Sequence, residues 1–379
     1  MSFTSRLSVL RDAWGKSSVA VWRERVRPAV GRFKNIAGRL PPKGTLIPKF
    51  LKPAYYSAES KLHRTRIQEN TNYLDIYNKL HNLKKILNDP RQIELTEESI
   101  KEASTLLCER ATLQRITPDS HPALIRQLHD NEAVHKCGRD ELVSHRLGHE
   151  KTDKACFALV METKVEPVIL AGIFTYFDQT LDAEKGLRHK GLAGFVDHVK
   201  KQEPKSMTEA HDTAVFYTIT SVFPGAGATL VQRVYQELHA RFVLTTLSPI
   251  RSFTKDQDRT TLLGLDRSKL QAQVLSYLLE NKDPVMKFHL GNGAYIGDIK
   301  INPDSAQDWI TINYVYPVKP ERLNLNRILY KSQGTIFLSP YLHEQVQTQM
   351  PEKLSTAQAF AGGDLIRYSP PTSIPPSLQ

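Results

Sequence analysis

Residues 213–248 read TAVFYTITSVFPGAGATLVQRVYQELHARFVLTTLS, and this stretch decides the fold. Thr213–Ser221 is rich in β-branched and aromatic residues, as strands are. Pro224–Gly227 predicts a turn, and the apolar residues that follow at helical spacing predict a helix ending near Arg241. Phe242–Leu247 predicts another strand. The order is therefore strand, glycine-containing turn, helix and strand.

The composition of the whole chain is that of a globular protein. Its 379 residues are 40% hydrophobic and 24% charged, which is enough for two domains with a sizeable core. No run approaches the roughly 18–20 apolar residues of a membrane-spanning helix. The three cysteines form neither a disulfide framework nor a metal site of CxxC type, which favours a reducing compartment. They are Cys108, Cys137 and Cys156.

The net charge of the chain is concentrated at its N-terminus. The protein has a formal charge of +11, and residues 1–52 hold 12 Lys+Arg but only two Asp+Glu. Apolar residues recur at helical spacing from Phe3 to Trp14, so this arm resembles a mitochondrial presequence. A retained arm that docks on RNA, anionic lipid or another subunit is the alternative, as is a solvated tail. We expect a mitochondrial matrix location, with the cytoplasm as the alternative.

A proline-rich linker separates this arm from a helical region. Proline cannot continue a helix, so residues 1–53 read as arm and linker. Apolar residues upstream of Asp89-Pro90 then fit one or two amphipathic helices. Thr96 is the expected N-cap of the next helix. Residues 54–125 thus predict a small helical domain, which would serve helix packing or self-association into a homo-oligomer.

Strands and helices alternate after the helical region. Ala155–Met161 and Val168–Phe174 are short apolar runs that predict an antiparallel hairpin with a longer loop. Together with residues 213–248 they place an α/β arrangement within residues 126–345. Residues 346–379 remain as a C-terminal helix and a Pro-rich tail.

The glycine turn before the predicted helix can bind an anion. A helix N-terminus presents N–H groups and a partial positive charge, and glycine lets a diphosphate approach the backbone closely. A plain turn, with the basic residue on a solvated helix face, is the alternative. The residues that would hold the diphosphate are Gly225, Ala226, Gly227, Ala228, Thr229 and Arg233.

Four short motifs occur in one order along the chain and together resemble a known family. The motifs are Glu132-Ala133-Val134-His135 with Arg146-Leu147-Gly148, Phe216-Tyr217-Thr218-Ile219-Thr220 with the glycine turn, Leu247-Ser248-Pro249-Ile250, and Phe288-His289-Leu290 with Asn292-Gly293-Ala294. In this order they resemble motifs of the malonyl-CoA decarboxylases, and the similarity covers roughly residues 125–345.

The resemblance implies a fold, a substrate and a pair of catalytic residues. The implied fold is α+β, a small N-terminal helical domain followed by an N-acetyltransferase-like acyl-CoA domain with a mixed, mostly antiparallel sheet. Ser248 would orient the departing carboxylate of malonyl-CoA, and His289 would donate a hydrogen bond or proton. Neither a metal nor an organic cofactor is implied, and the glycine turn would hold the coenzyme A pyrophosphate.

Other residues have weaker claims to the site. Asn292 can shape the acyl pocket, although Asn-Gly is also a common hairpin turn. Glu132 and His135, three positions apart on an expected helix, can support the site or form a surface pair. Tyr314 belongs to an aromatic pair with Tyr316, for which core packing is the alternative. Likewise, a serine before proline is often a turn residue, and a histidine on an apolar strand is often structural.

Departures from the family leave two classes of function open. Ser248 and His289 are 41 positions apart, closer than the family leads us to expect, and Arg251-Ser252 replaces Pro-Gly. The first class is an active malonyl-CoA decarboxylase. The second is a non-catalytic relative in a mitochondrial assembly, docked by its basic arm to RNA or protein. An acyltransferase fits the serine and histidine motifs less well.

Overall fold

The computed structural model describes most of the chain downstream of the basic arm. The arm and linker, apart from Lys52 and Pro53, and the Pro-rich tail lie outside the described residues. The described ranges are 52–87, 90–132, 137–179, 203–208, 211–255, 257–280, 283–305, 308–350 and 357–359.

Helices and strands alternate through these ranges, after two long helices at the start. The helices are α1 Lys52–Ile86, α2 Pro90–Arg110, α3 Pro122–Asn131, α4 Ala226–Leu238, α5 Arg251–Lys255, α6 Arg259–Leu263, α7 Arg267–Leu279, α8 Pro284–Gly291, α9 Pro320–Gln333 and α10 Pro340–Gln349, with a helical turn Arg139–Glu141 that continues as the π-helix Leu142–Arg146. The strands are β1 Thr112–Ile116, β2 Lys154–Met161, β3 Val168–Gln179, β4 His211–Ser221, β5 Val243–Pro249, β6 Tyr295–Ile301, β7 Ile310–Tyr316, β8 Ile336–Leu338 and β9 Ala357–Ala359.

The chain divides into two compact units. The first comprises Met1–Thr112, Val160–Leu170 and Phe223–Ala226. The second comprises Leu113–Leu159, Ala171–Val222 and Gly227–Gln379.

Within the first unit, Arg110 joins the two long helices. Its Nη2 lies 2.6 Å from Glu69 Oε2, and its Nε donates to Asn70 Oδ1 at 2.8 Å. Arg66 of α1 in turn donates to the Arg110 carbonyl at 2.7 Å. Both charged side chains of the ion pair are mostly shielded from water, so removing Arg110 would leave the Glu69 carboxylate without this partner in a shielded position.

The prediction that Thr96 is an N-cap is wrong. Helix α2 begins at Pro90, where proline costs no helical hydrogen bond because the first N–H groups have no partner within the helix. Thr96 lies in the second turn, fully buried, and its hydroxyl donates to the Gln92 carbonyl at 2.7 Å. A threonine hydroxyl can bond to the preceding turn in this way, so it does not by itself mark a helix start.

The nine strands form one mixed sheet in the order β1-β2-β3-β4-β5-β7-β6-β8-β9. The β3–β4, β5–β7 and β6–β7 pairs are antiparallel, whereas the shorter β4–β5, β6–β8 and β8–β9 pairs are parallel. The predicted α+β class with a mixed sheet is confirmed. In residues 213–248 the predicted strand, helix and strand are β4, α4 and β5, although β5 continues to Pro249 and so contains Ser248.

Strands β4 and β5 part from each other at the centre of the sheet. Their parallel pairing ends at Phe216 and Thr246. Beyond this point β4 remains paired with β3 as far as Ser221, and β5 remains paired with β7 as far as Pro249. Each strand thus keeps its outer neighbour while losing its inner one, which opens a wedge in the sheet.

Across the ranges that the structure describes, no helix combines the length and the apolar character needed to cross a membrane.

Two glycines with positive φ provide a matched test of packing. Gly293 follows α8 with φ +94°, and a Cβ there would lie 2.4 Å from the Leu323 carbonyl oxygen. Gly334 ends α9 with φ +70°, and nothing lies within 4 Å of the same atom. Gly334→Ala should therefore lower the free energy of unfolding by about 1–2 kcal/mol, because a residue with a Cβ is disfavoured in the left-handed conformation. Gly293→Ala should cost roughly 1–3 kcal/mol more, because the backbone must also move.

The measurement is the free energy of unfolding of each variant in urea. Equal losses for the two alanine variants would contradict the close packing of the turn after α8.

Candidate active site

A cavity of about 480 Å³ lies in the wedge between β4 and β5. Its walls come from these two strands, the first turn of α4, the turn into α5, and α8. Apolar side chains supply much of this wall, which suits an acyl chain or another largely apolar ligand. They include Phe216, Ile219, Leu247, Val285 and Phe288.

The cavity contains both residues of the expected catalytic pair. Ser248 Oγ lies 3.2 Å from His289 Nε2, and both side chains are buried. Ser248 is supplied by the part of β5 that has lost β4 as a neighbour, and His289 by α8. The structure therefore brings the two residues together across 41 positions of chain.

Helix α8 replaces the strand that we expected around His289. Asp283 is its N-cap and accepts a hydrogen bond from the Met286 N–H at 2.7 Å, with Pro284 in the first turn. Asp283 Oδ2 also accepts a short hydrogen bond from the Ser252 hydroxyl. One carboxylate thus fastens the start of α8 to the segment that follows β5, and so fixes the helix of His289 near the strand of Ser248.

Two tyrosines of β7 hold the His289 ring. The Tyr314 ring stacks on it, with centroids 4.6 Å apart and planes 20° apart. The Tyr316 hydroxyl lies 2.9 Å from His289 Nδ1, its one hydrogen-bond partner among the described residues. A buried phenol must donate its proton, so we assign Tyr316 as donor to Nδ1. The ring proton then lies on Nε2 and points at Ser248 Oγ.

Burial keeps the His289 and Tyr316 side chains uncharged. It lowers the pKa of His289 to about 3 and raises the pKa of Tyr316 well above its usual value. At neutral pH His289 is a neutral donor of a hydrogen bond, not an imidazolium acid.

The Ser248 hydroxyl has a second neighbour on its own strand. Thr246 Oγ1 lies 3.3 Å from Ser248 Oγ, two residues earlier on the same face of β5. Since His289 Nε2 donates to Ser248, the serine proton is left to point at Thr246 or into the cavity. Ser248 can therefore offer a proton or hydrogen bond to a ligand.

The charged side chains that line the cavity interact with other groups of the protein. Arg251 gives two hydrogen bonds to the Asp308 carboxylate, each 2.8 Å long. Asp283 accepts from Ser252 and Met286, as described above. Among the described residues that line the cavity, Arg251 is the sole cation and Asp283 the sole carboxylate.

The residues predicted to hold the diphosphate do not all line the cavity. Gly227 lines the cavity, where a Cβ would lie 3.4 Å from the Phe288 ring. Its N–H already donates to Ser221 Oγ at 3.1 Å. Gly225, with φ +79°, is exposed and does not line the cavity, and Arg233, on a later turn of α4, is half-buried and does not line it either. Ala226, Ala228 and Thr229 lie on the first turn of α4 but do not line the cavity.

The remaining candidates lie away from the cavity wall. Asn292 is the C-cap of α8 and does not line the cavity, and its side chain donates to the carbonyl of the cavity residue Phe288 at 2.8 Å. Glu132 pairs with buried Arg146, whose Nη1 lies 3.2 Å from its Oε2. His135 falls outside the described residues.

Several residues of this site were not predicted to belong to it. They include Asp283 and Ser252, which couple its two sides. Asp283-Pro284 before an apolar run is a helix start in sequence, and this signal was present. Ser252 bonds to Asp283, which lies 31 positions later, and nothing in the sequence around Ser252 indicates this hydrogen bond.

The described part of the chain contains no group of three or more His, Cys, Asp or Glu residues that could hold a metal ion. All three cysteines are free thiols, and Cys108 and Cys156 are buried.

Comparison with solved structures identifies proteins of the same fold. No protein-family model and no curated protein matches the sequence. The malonyl-CoA decarboxylase of Agrobacterium vitis matches with a TM-score of 0.54 and 18% identity, over 90% of this chain and 98% of that one. The malonyl-CoA decarboxylase of Rhodopseudomonas palustris gives 0.54 and 17%, over 91% of each chain. The chain has the fold of these enzymes, and the likeness extends beyond residues 125–345.

The pH dependence of folding should report the burial of His289. Its pKa falls from 6.5 to about 3 on folding, so between these values the unfolded chain binds a proton that the folded chain does not. The free energy of unfolding should therefore be largest above about pH 6.5 and fall as the pH decreases through this window. The slope from this one residue should approach about 1.4 kcal/mol per pH unit.

Urea unfolding from about pH 5 to pH 8 checks this expectation, with His289→Gln as the control. Glutamine does not titrate, so the variant's curve should be flatter than the wild-type curve by about one proton. Parallel curves would mean that His289 is solvated in the folded protein.

Proposed function

We propose that the cavity binds malonyl-CoA and that the protein converts it to acetyl-CoA and carbon dioxide. The observation that carries this proposal is the 3.2 Å contact of Ser248 Oγ with His289 Nε2 inside the wedge between β4 and β5. The shared fold with two malonyl-CoA decarboxylases supports it.

The parting of the strands suits an extended thioester. Beyond Phe216 and Thr246 the facing edges of β4 and β5 are not paired with each other. A ligand with amide groups along an extended chain, as in the pantetheine arm of coenzyme A, can pair with such an edge as an added strand would. The thioester end would then reach Ser248 and His289.

The chemistry needs few groups. The bond between the carboxylate carbon and the α-carbon breaks, carbon dioxide leaves, and the electron pair remains as a thioester enolate. The α-carbon then takes a proton, which comes ultimately from solvent, and acetyl-CoA forms. Hydrogen bonds that are directed at the charge as it develops lower the barrier.

The side chains of the site can share these tasks. Ser248, fixed by His289, can orient the carboxylate and supply the nearest exchangeable proton. His289 is neutral, so it acts by donating its Nε2–H to Ser248, and Tyr316 maintains that tautomer. An apolar wall raises the free energy of a localised carboxylate more than that of a delocalised enolate, which favours loss of carbon dioxide.

A second candidate is a decarboxylase-like subunit without turnover in a mitochondrial assembly. The observation in its favour is the charge of residues 1–52, with 12 Lys+Arg against two Asp+Glu. Such a subunit would dock on RNA or protein by this arm. Mass spectrometry of the mature N-terminus tests the presequence alternative, since a start near residue 40 would show that the arm is removed.

Turnover by purified protein tests the proposed activity. His289→Ala should reduce the rate of carbon dioxide release from malonyl-CoA by roughly 10²–10⁴-fold, because the serine loses its hydrogen-bonding partner. The affinity for coenzyme A should stay nearly unchanged, since the variant leaves the rest of the cavity intact. His239→Ala is the control, because that ring stacks on Tyr235 of α4 and does not line the cavity. A wild-type protein that releases no carbon dioxide would support the second candidate.

A charge at the start of α4 tests where the coenzyme binds. Gly227→Glu puts a bulky anion into the cavity and should weaken coenzyme A binding at least about tenfold, as judged by calorimetry. Gly138→Glu is the control, since Gly138 has open space around it and does not line the cavity. Equal binding by both variants would remove the first turn of α4 from the site.

A further inference from the structure

The cavity opens to solvent at the carboxyl ends of β4 and β5. On β4 the lining residues change from buried at Thr218 to exposed at Ser221. On β5 and the turn that follows it, they change from buried at Ser248 to exposed at Arg251. Ser248 and His289 therefore lie toward the closed end of the cavity, and Arg251 lies at its mouth.

A ligand that enters by this mouth meets a cation whose own counter-ion is set back. Arg251 donates from Nε and Nη2 to the two carboxylate oxygens of Asp308, each at 2.8 Å. The exposed fraction of the side chain is 60% for Arg251 but only 13% for Asp308, and Asp308 does not line the cavity. The carboxylate is thus the shielded partner of the pair, and the guanidinium is the partner that a ligand can reach.

The guanidinium of Arg251 keeps donors for such a ligand. It has five N–H groups, of which Asp308 accepts two. Within the described residues its hydrogen bonds go to Asp308 alone, so three N–H groups remain for an external acceptor. These hydrogen bonds raise the pKa of Arg251, and the side chain stays charged. They also fix its orientation, so little side-chain freedom is lost when an anion binds.

A purely structural role explains this ion pair less well. The segments that it joins are already held by the β5–β7 ladder and by the Ile250 N–H, which donates to the Ile310 carbonyl at 3.3 Å. An ion pair with an exposed partner adds little to stability. The family resemblance does not require the charge either, since the decarboxylases tend to have Pro-Gly where this chain has Arg251-Ser252.

We propose that Arg251 binds a phosphate of coenzyme A at the mouth of the cavity. This inference rests on the proposed function, which puts the thioester beside Ser248 and His289. Coenzyme A carries its phosphates beyond the far end of the pantetheine arm, and they therefore lie toward the mouth. Arg251 is the sole cation among the described lining residues, and the planar fork of a guanidinium matches the oxygens of a phosphate.

Calorimetry with coenzyme A itself tests the contact, because this ligand has no malonyl group to lose. Arg251→Gln removes the charge, and Arg251→Lys keeps it. The double variant Arg251→Gln/Asp308→Asn removes both charges, so it separates a lost contact from repulsion by an uncovered carboxylate. Lys269→Gln is the matched control, since it takes one cation from an exposed ion pair with Asp266 that lies outside the cavity wall.

Arg251→Gln should weaken the binding of coenzyme A about tenfold, because hydrogen bonds to a charged group are lost. The double variant should be weakened to a similar extent, Arg251→Lys should be weakened less, and Lys269→Gln should stay within about twofold of the wild type. Added salt should weaken binding by the wild type more than binding by Arg251→Gln, since an exposed charge contact is screened. The urea midpoints of the variants should stay close to that of the wild type.

Dephospho-coenzyme A, which lacks the 3′-phosphate, identifies the phosphate that is bound. If Arg251 contacts the diphosphate, Arg251→Gln should weaken the binding of coenzyme A and of dephospho-coenzyme A equally. If it contacts the 3′-phosphate, Arg251→Gln and the wild type should bind dephospho-coenzyme A equally well.

Four results would overturn the inference: a wild-type protein that does not bind coenzyme A, an Arg251→Gln variant that binds it as the wild type does, a double variant that recovers wild-type affinity, or an equal loss in Lys269→Gln. An effect of Arg251→Gln on malonyl-CoA alone belongs to the second of these and would assign Arg251 to the malonyl carboxylate.

Failure of the proposed function is a separate result, because it is judged by carbon dioxide release from malonyl-CoA. A protein that binds coenzyme A through Arg251 but releases no carbon dioxide would retain the inference and lose the activity. A protein that releases carbon dioxide, with coenzyme A binding unchanged in Arg251→Gln, would retain the activity and lose the inference.

Discussion

The loss of pairing between β4 and β5 beyond Phe216 and Thr246 is the constraint on which the site depends. A parallel ladder that continued would fill the space between the two strands with backbone hydrogen bonds. Because β3 and β7 hold the outer edges of the two strands, the sheet can open without leaving either strand unsupported. The backbone groups on the facing edges of β4 and β5 are then open to water or to a ligand.

Burial determines the chemistry that the site can perform. In water a histidine would be partly protonated near pH 6.5, but enclosed between Tyr314, Tyr316 and Phe288 it stays neutral. Its function is then to hold a proton in a fixed direction. This arrangement differs from that of a general acid that changes its charge during turnover, and it suits a reaction whose main demand is the stabilisation of a developing enolate.

The sequence was sufficient for the fold around residues 213–248, because a β-branched run, a glycine turn and a helical period each indicate their own structure. Prediction from the sequence failed where one pattern is compatible with two structures. Eight residues from Pro284 can be strand or helix by apolar content alone, and Asp283-Pro284 was the feature that distinguished them. Asn292 carried a hairpin signal but caps a helix. The pairing of Ser248 with His289 came from motif resemblance, whereas their burial depends on β7 and could not be derived from their neighbours in sequence.

The double contact of Asp283 has a consequence for the length of the chain. By accepting from Ser252 and capping α8, it closes a loop of 31 residues at its base. These two contacts fix the positions of Ser248 and His289. The distance between the two side chains therefore does not depend on the number of residues within the loop. A long insertion in such a loop adds little closure entropy, since the cost grows only with the logarithm of length. A spacing of 41 residues is therefore no obstacle to the contact between Ser248 and His289.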